Sequence, residues 1–142
     1  MNLPIAFWDS SALIPLCVEQ LQTQRSEALF ANYGVIVWWA THVEIISGLT
    51  RLLRMKEIKG IEFIEGKHVA QAMELTWVAI NPSANIEREA RKLLELYPLR
   101  AADALQLAAA LEWCEGKPKG RAFLSFDQRL NEAAELAGFT LQ

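Results

Sequence analysis

The sequence predicts an α/β fold: a three-layer α/β/α sandwich around a mostly parallel sheet of four to five strands. Three observations point there. The short β-rich runs are continuously apolar rather than alternating, as strands covered on both faces are. Helical stretches, usually in pairs, separate one run from the next, which implies right-handed crossovers and parallel pairing. The chain has 142 residues, 52% hydrophobic and 22% charged. That is enough apolar material for one core and too little charge for disorder. Residues 1–142 are therefore expected to form a single domain, with no internal repeat, low-complexity stretch or linker.

Leu3 to Trp8 is the first strand, and it ends abruptly in Asp9, Ser10 and Ser11. Asp9 or Ser10 caps a short helix with Leu13, Leu16 and Cys17 on one side, and Pro15 is expected near its first turn, where a missing N–H costs least. Gln20 to Tyr33 is a second helix with Leu21, Ala28, Leu29 and Ala31 as its apolar face, and Gly34 suits the position that terminates it. Val35 to Trp39 is β-branched and aromatic, hence the second strand. Thr41 opens a helix to about Met55 with Ile45, Leu49, Leu52 and Leu53 inward. Another helix follows from roughly Ile61 to Thr76, interrupted at Gly66.

Trp77 to Ile80 is the third strand, and Asn81-Pro82-Ser83 turns the chain. A helix from about Ala84 to Tyr97 carries Ile86, Ala90, Leu93, Leu94 and Tyr97, and Pro98 stops it. Ala101 to Cys114 is the most Ala- and Leu-rich helix, with Ala104, Leu107, Ala108 and Leu111 at i, i+3, i+4, i+7 spacing. After a Gly/Pro/Lys loop, Ala122 to Phe126 is the fourth strand, ended by Asp127. Gln128 to Ala137 is the last helix, closed by Gly138, and Phe139-Thr140-Leu141 is a candidate fifth strand.

Composition narrows the function classes. The net charge is −3, and nucleic-acid binders are usually basic overall. An enzyme whose carboxylates hold cations is the exception, since the bound ions offset its acids locally. Cys17 and Cys114 have neither CxxC spacing nor a nearby His, so they read as reduced core thiols of a cytosolic protein. No basic segment followed by an apolar one opens the chain, so secretion is not expected. The longest apolar run, Val35 to Ala40, is far too short to span a bilayer. A cytoplasmic protein without membrane association is the expectation.

Ligands of open α/β sheets gather at the carboxyl ends of the strands. Four acids converge there: Asp9 and Asp127 after strands, Glu44 one turn into a helix, and Asp103 in the first turn of another. Each has an ordinary reading. Asp9 and Asp127 serve equally as helix caps. Thr41-x-x-Glu44 spells a capping box, in which Glu44 bonds back to the Thr41 N–H. Asp103 suits the helix dipole, though its neighbours are apolar. Taken together, four carboxylates at one edge repel one another unless cations neutralise them or some stay protonated. Oxygen ligands without Cys or His select Mg²⁺ or Mn²⁺. His42 and His68 lack metal-ligand spacing and read as structural or solvent-facing.

Four strings complete the pattern: Trp8-Asp9-Ser10-Ser11-Ala12-Leu13, the helix-borne Glu44, Leu99-Arg100-Ala101-Ala102-Asp103-Ala104-Leu105-Gln106-Leu107-Ala108, and Leu124-Ser125-Phe126-Asp127-Gln128-Arg129-Leu130. Taken in order across nearly the whole chain, the set resembles the PIN domain, and more narrowly its VapC-type toxin ribonucleases of type II toxin–antitoxin systems. The resemblance implies that Asp9, Glu44, Asp103 and Asp127 form the acidic metal site, supported by the hydroxyls of Ser10 and Ser125. Gln106 stands where many members carry His. The resemblance further implies Mg²⁺- or Mn²⁺-dependent hydrolysis of RNA to 5′-phosphate and 3′-hydroxyl ends, a small antitoxin partner that occludes the site, and a homodimer.

RNA needs basic surroundings at such a site. Candidate groups are Arg51, Arg54, Lys56 and Lys59; Arg100, beside Asp103; and Lys117, Lys119 and Arg121. Most tryptophans lie in strands and read as core rather than as base-stacking platforms. Helices 20–33 and 41–55 are the expected antitoxin contact. Two other readings compete. A catalytically silent PIN-like interaction module has no reason to bind a divalent ion tightly. A receiver-like phosphoacceptor domain needs a Lys at a strand end, and no predicted strand ends in Lys.

Overall fold

The computed structural model describes residues 2–142. The elements are β1 (Ile5–Trp8), α1 (Ser10–Cys17), α2 (Thr23–Asn32), β2 (Gly34–Trp38), α3 (Thr41–Arg54), α4 (Gly60–Glu74), β3 (Val78–Ile80), α5 (Ala84–Leu96), α6 (Ala101–Trp113), β4 (Ala122–Leu124), α7 (Gln128–Ala137) and β5 (Thr140–Leu141). The five strands form one sheet in the order β3-β2-β1-β4-β5, and every pairing is parallel. β1 is the middle strand, which is why its apolar run is unbroken.

Strand alternation sends side chains into two separate cores. Phe7, Ile36, Trp38 and Phe123 pack beneath α5, α6 and α7. Ala6, Trp8, Val35, Val37 and Leu124 pack beneath α1, α3 and α4. Phe7, Trp8 and Phe123 are essentially fully buried, and each such aromatic contributes on the order of 2–3 kcal/mol of burial free energy. The three-layer sandwich is therefore as expected, with the sheet wholly parallel and the short fifth strand formed.

Several local expectations change. Gly34 does not terminate α2; it opens β2 opposite Ile5, and the helix ends at Tyr33 in extended backbone. A Cβ there would lie 3.0 Å from Ile5 Cγ2, so close approach to β1 accounts for the glycine. The inward residues of α2 are Thr23 and Ser26, whereas Leu21, Ala28 and Ala31 are exposed; besides its contact with α1, the helix sets Phe30 edge-on against Trp8. Pro15 sits in the second turn of α1, not the first. Gly66 does not interrupt α4; a Cβ there would lie 3.0 Å from Val18 Cγ1 and 3.2 Å from the Cys17 carbonyl oxygen. It is the point where α4 crosses the end of α1. Trp39 and Leu94 are exposed rather than core.

The carboxyl edge of the sheet is where β1, β2 and β4 release the chain into α1, α3 and α7. The loop bearing Lys117, Lys119 and Arg121 enters β4 at its amino end, on the opposite edge, so that basic group is not part of the acidic site. Arg121 instead stacks its guanidinium over Trp113.

Candidate functional site

Asp9 leaves β1 with its backbone N–H donated to the Leu124 carbonyl of β4 (2.9 Å), as though extending the ladder by one residue. Its side chain is buried and takes all its hydrogen bonds on Oδ2. Ser11 Oγ donates at 2.5 Å, Ser125 Oγ at 2.9 Å and the Ser11 N–H at 3.4 Å. Each hydroxyl in turn accepts a backbone N–H, Phe126 on Ser11 (2.9 Å) and Asp127 on Ser125 (3.0 Å). Both hydroxyls are thus satisfied, and Oδ1 is left for the cleft. Asp9 is both a cap and a site residue, because the two roles use different oxygens.

Asp127 follows the same rule. It is the N-cap of α7, accepting the Leu130 N–H on Oδ1 at 3.0 Å, with its other oxygen free. The 125–127 turn is held from below by Asn131, whose Nδ2 donates to the Ser125 carbonyl at 2.8 Å.

Glu44 does not cap its helix. The capping box is absent: α3 has Ala40 at its N-cap with no side-chain bond, and the Glu44 N–H closes on Ala40 O. Thr41 is itself buried, so the Glu44 side chain turns toward the sheet edge instead. Its Oε1 accepts from Ser10 Oγ at 3.2 Å and from Gln106 Nε2 at 2.7 Å. Ser10 therefore supports Glu44 rather than Asp9. Asp103, in the first turn of α6, is half-buried.

All four acids line one cleft of about 770 Å³, together with Ser10 and Ser11. Arg51, Arg100 and Arg129 line it as well. Of the other proposed cations, Arg54 opens onto a different cavity.

The acids feel one another. Burial is the main reason the Asp9 carboxyl lies above its ordinary range, opposing the Ser11 and Ser125 bonds, and the Asp103 charge adds to the rise. Burial also pushes the Glu44 carboxyl up to about 7, against the Gln106 bond and with help from Asp9; to a smaller degree the Ser10 bond lowers it and the Asp103 charge raises it. Asp103 is raised by burial and then by Asp127, partly opposed by Arg100 and Arg129. Three arginines do not neutralise this edge.

The donor set fits a hard divalent cation. It is all oxygen, three of its acids are held through one carboxylate oxygen with the other unspent, and burial raises the Asp9, Glu44 and Asp103 carboxyls, with neighbouring acids adding to the rise. His42 instead pairs with Glu74, His68 is exposed, and both cysteines are free and buried elsewhere. Among the described residues no three His, Cys, Asp or Glu side chains meet tightly enough to enclose an ion; four like charges have no reason to close on one another without one.

Two participants lie outside the residues expected from sequence: Ser11, although a hydroxyl two residues after an Asp is in register to bond it, and Arg129, which carries no local signal of a role. Gln106 stands out in sequence only as a departure from the family's His.

Comparison with known proteins gives the family and the fold. Ribonucleases VapC45 and VapC49 of Mycobacterium tuberculosis are each 26% identical over 140 residues, covering 96% of this chain and 93% of each relative. Among solved structures, VapC20 of Mycobacterium tuberculosis, described as a sarcin-ricin loop cleaving toxin, superposes with a TM-score of 0.67 at 18% identity over 95% of this chain and 96% of its own. A toxin–antitoxin complex from Klebsiella pneumoniae superposes at 0.61 and 18% identity over 87% of this chain and 88% of its own. The PIN domain family model matches residues 6–136, a span that holds the carboxyl ends of β1 to β4 and all four acids, and the chain belongs to the PIN domain family.

Proposed function

We propose that this chain is a divalent-metal-dependent endoribonuclease, a single PIN domain over residues 1–142, acting in the cytoplasm as the toxin of a toxin–antitoxin pair. The observation that carries the proposal is the convergence of Asp9, Glu44, Asp103 and Asp127, from four separate segments, on one under-neutralised cleft in a PIN-family chain. The names of its ribonuclease relatives support the same reaction. A receiver-like domain is excluded by the family and by the absence, among the described residues, of a strand ending in Lys.

Asp9 and Asp103 are the residues proposed to hold Mg²⁺ or Mn²⁺ directly, with Asp127 and Glu44 holding it directly or through water. A bound divalent ion supplies an activated water at neutral pH and charge neutralisation at the scissile phosphate. The chain's own contribution is positional. The Ser11 and Ser125 hydroxyls lock Asp9, the α7 cap locks Asp127, and Arg51, Arg100 and Arg129 face incoming phosphate from the cleft walls.

The experiment is cleavage-end mapping on total RNA with and without Mg²⁺, wild type against Asp103→Asn. Discrete 5′-phosphate and 3′-hydroxyl ends are expected only for wild type with metal. The same ends from Asp103→Asn, or in chelator, would remove the proposal.

An antitoxin is the expected protein partner, and a homodimer the expected assembly. Two surfaces support the partner's proposed site on helices 20–33 and 41–55. One is a cavity of about 410 Å³ between Gln20–Gln22 and Leu52. The other is a cavity of about 550 Å³ lined by Val43, Ile46 and Thr50 on α3. Among the described residues no helix is long and apolar enough to cross a membrane.

A further inference from the structure

Gln106 lies on α6, one turn beyond Asp103, and is 1% exposed. α6 packs on one face of the sheet and α3 on the other. The Gln106 side chain nonetheless reaches around the carboxyl edge and donates Nε2 to Glu44 Oε1 at 2.7 Å, with a longer bond of 3.4 Å to Thr41 Oγ1. Its own Oε1 is buried without a partner. An orphaned buried carbonyl is destabilising, and a leucine of similar volume would avoid that cost. The residue is therefore poorly explained as core packing. Its donor is spent on a site acid.

We propose that Gln106 is a positioning residue: a strut between the two helical layers that holds the Glu44 carboxylate on the cleft side, beside Asp9 and Asp103, so that its Oε2 is presented to a divalent cation. Ser10, at 3.2 Å, shares Oε1 but belongs to the same side of the sheet as Glu44. Without the amide, no hydrogen bond among the described residues restrains the Glu44 side chain from the Asp103 side. The inference rests on the reading of Glu44 as a cation ligand.

The test measures Mn²⁺ affinity by titration calorimetry on the intact protein, alongside thermal melting in chelator, for wild type, Gln106→Leu, Gln106→His and Glu44→Gln. Loss of a hydrogen bond that orients a ligand typically weakens metal binding by roughly 10- to 100-fold. Gln106→Leu is expected to weaken Mn²⁺ binding by about tenfold, with its melting temperature unchanged or raised. Gln106→His, which keeps an N–H donor, is expected to recover most of that affinity. The ribonuclease rate of Gln106→Leu should return toward wild type at saturating Mn²⁺.

Unchanged Mn²⁺ affinity in Gln106→Leu, with Glu44→Gln weakened, overturns the strut and leaves the ligand assignment standing. Unchanged affinity in Glu44→Gln overturns the ligand assignment itself. Weakened affinity in both leucine and histidine variants overturns the donor role. A Gln106→Leu protein that melts well below wild type assigns Gln106 to stability instead of positioning.

Discussion

Asp9 and Glu44 face the same cleft but are held there in different ways. Asp9 is fixed by its neighbours in sequence and by the adjacent strand. Its donors come from Ser11 and from Ser125 just past β4, and β1 and β4 are paired residue by residue up to Trp8 and Leu124. Glu44 is fixed by side chains alone, one from α1 and one from the opposite helical layer. The first half of the site inherits the rigidity of the sheet. The second half is only as rigid as two side-chain hydrogen bonds. Cation binding by such a site is expected to lean on Asp9 for affinity and on Glu44 for adjustment.

The largest effect should separate the two acids in catalysis. Asp9→Asn is expected to drop RNA cleavage to background while the protein keeps its cooperative melt, since an asparagine carbonyl still accepts from both hydroxyls. Glu44→Gln is expected to retain measurable cleavage at high Mn²⁺. Equal residual rates, measured on one RNA substrate at saturating metal, would break the comparison.

Next in size is the pair of hydroxyls. Ser125→Ala removes a donor from Asp9 and strands the Asp127 N–H, a loss expected to cost about 2 kcal/mol of unfolding free energy. Ser10→Ala removes a single 3.2 Å bond at the cleft wall and should cost about 0.5 kcal/mol. Denaturant melts of the two variants sharpen the comparison if their order holds and undo it if Ser10→Ala is the more damaging.

The smallest effect is in pH. The Glu44 carboxyl is pushed from 4.5 up to about 7 in the folded protein, chiefly by burial. Between those values the folded state holds a proton that the unfolded state has released. The resulting stability is therefore fully present below about pH 4.5 and is lost as pH rises through about 7. In chelator, wild type should lose about 1 kcal/mol between pH 5 and 7, a figure discounted for the group's partial exposure. Glu44→Gln should show a shallower decline, the remainder coming from Asp9 and Asp103, which are raised in the same direction. An identical pH slope in the two proteins would show that Glu44 is not the titrating group.

The same contrast explains what was legible beforehand. Periodicity and apolar runs are local properties, so every strand and helix could be placed in order, and strand ends locate Asp9 and Asp127 without further information. Errors fell where packing overrides local preference. Gly34 and Gly66 look like breakers in sequence, yet both are contact points where a Cβ would crowd a neighbouring element. Thr41-x-x-Glu44 has the spelling of a capping box. Thr41 is buried instead, and the Gln106 amide, 62 residues away, donates to the carboxylate. Lys117, Lys119 and Arg121 form a basic cluster on the wrong edge of the sheet, a matter of strand polarity rather than composition.

By itself, then, the sequence determined the α/β alternation, the parallel pairing, the all-oxygen donor set and the strand ends that carry two of the four acids, because each follows from residue type and short-range spacing. Only the tertiary structure decided which hydroxyl serves which acid, which cations face the cleft and what Glu44 touches. Most of those are contacts between side chains distant in sequence, and the Gln106–Glu44 contact joins opposite layers of the sheet; no local pattern encodes the direction in which a side chain turns around an edge.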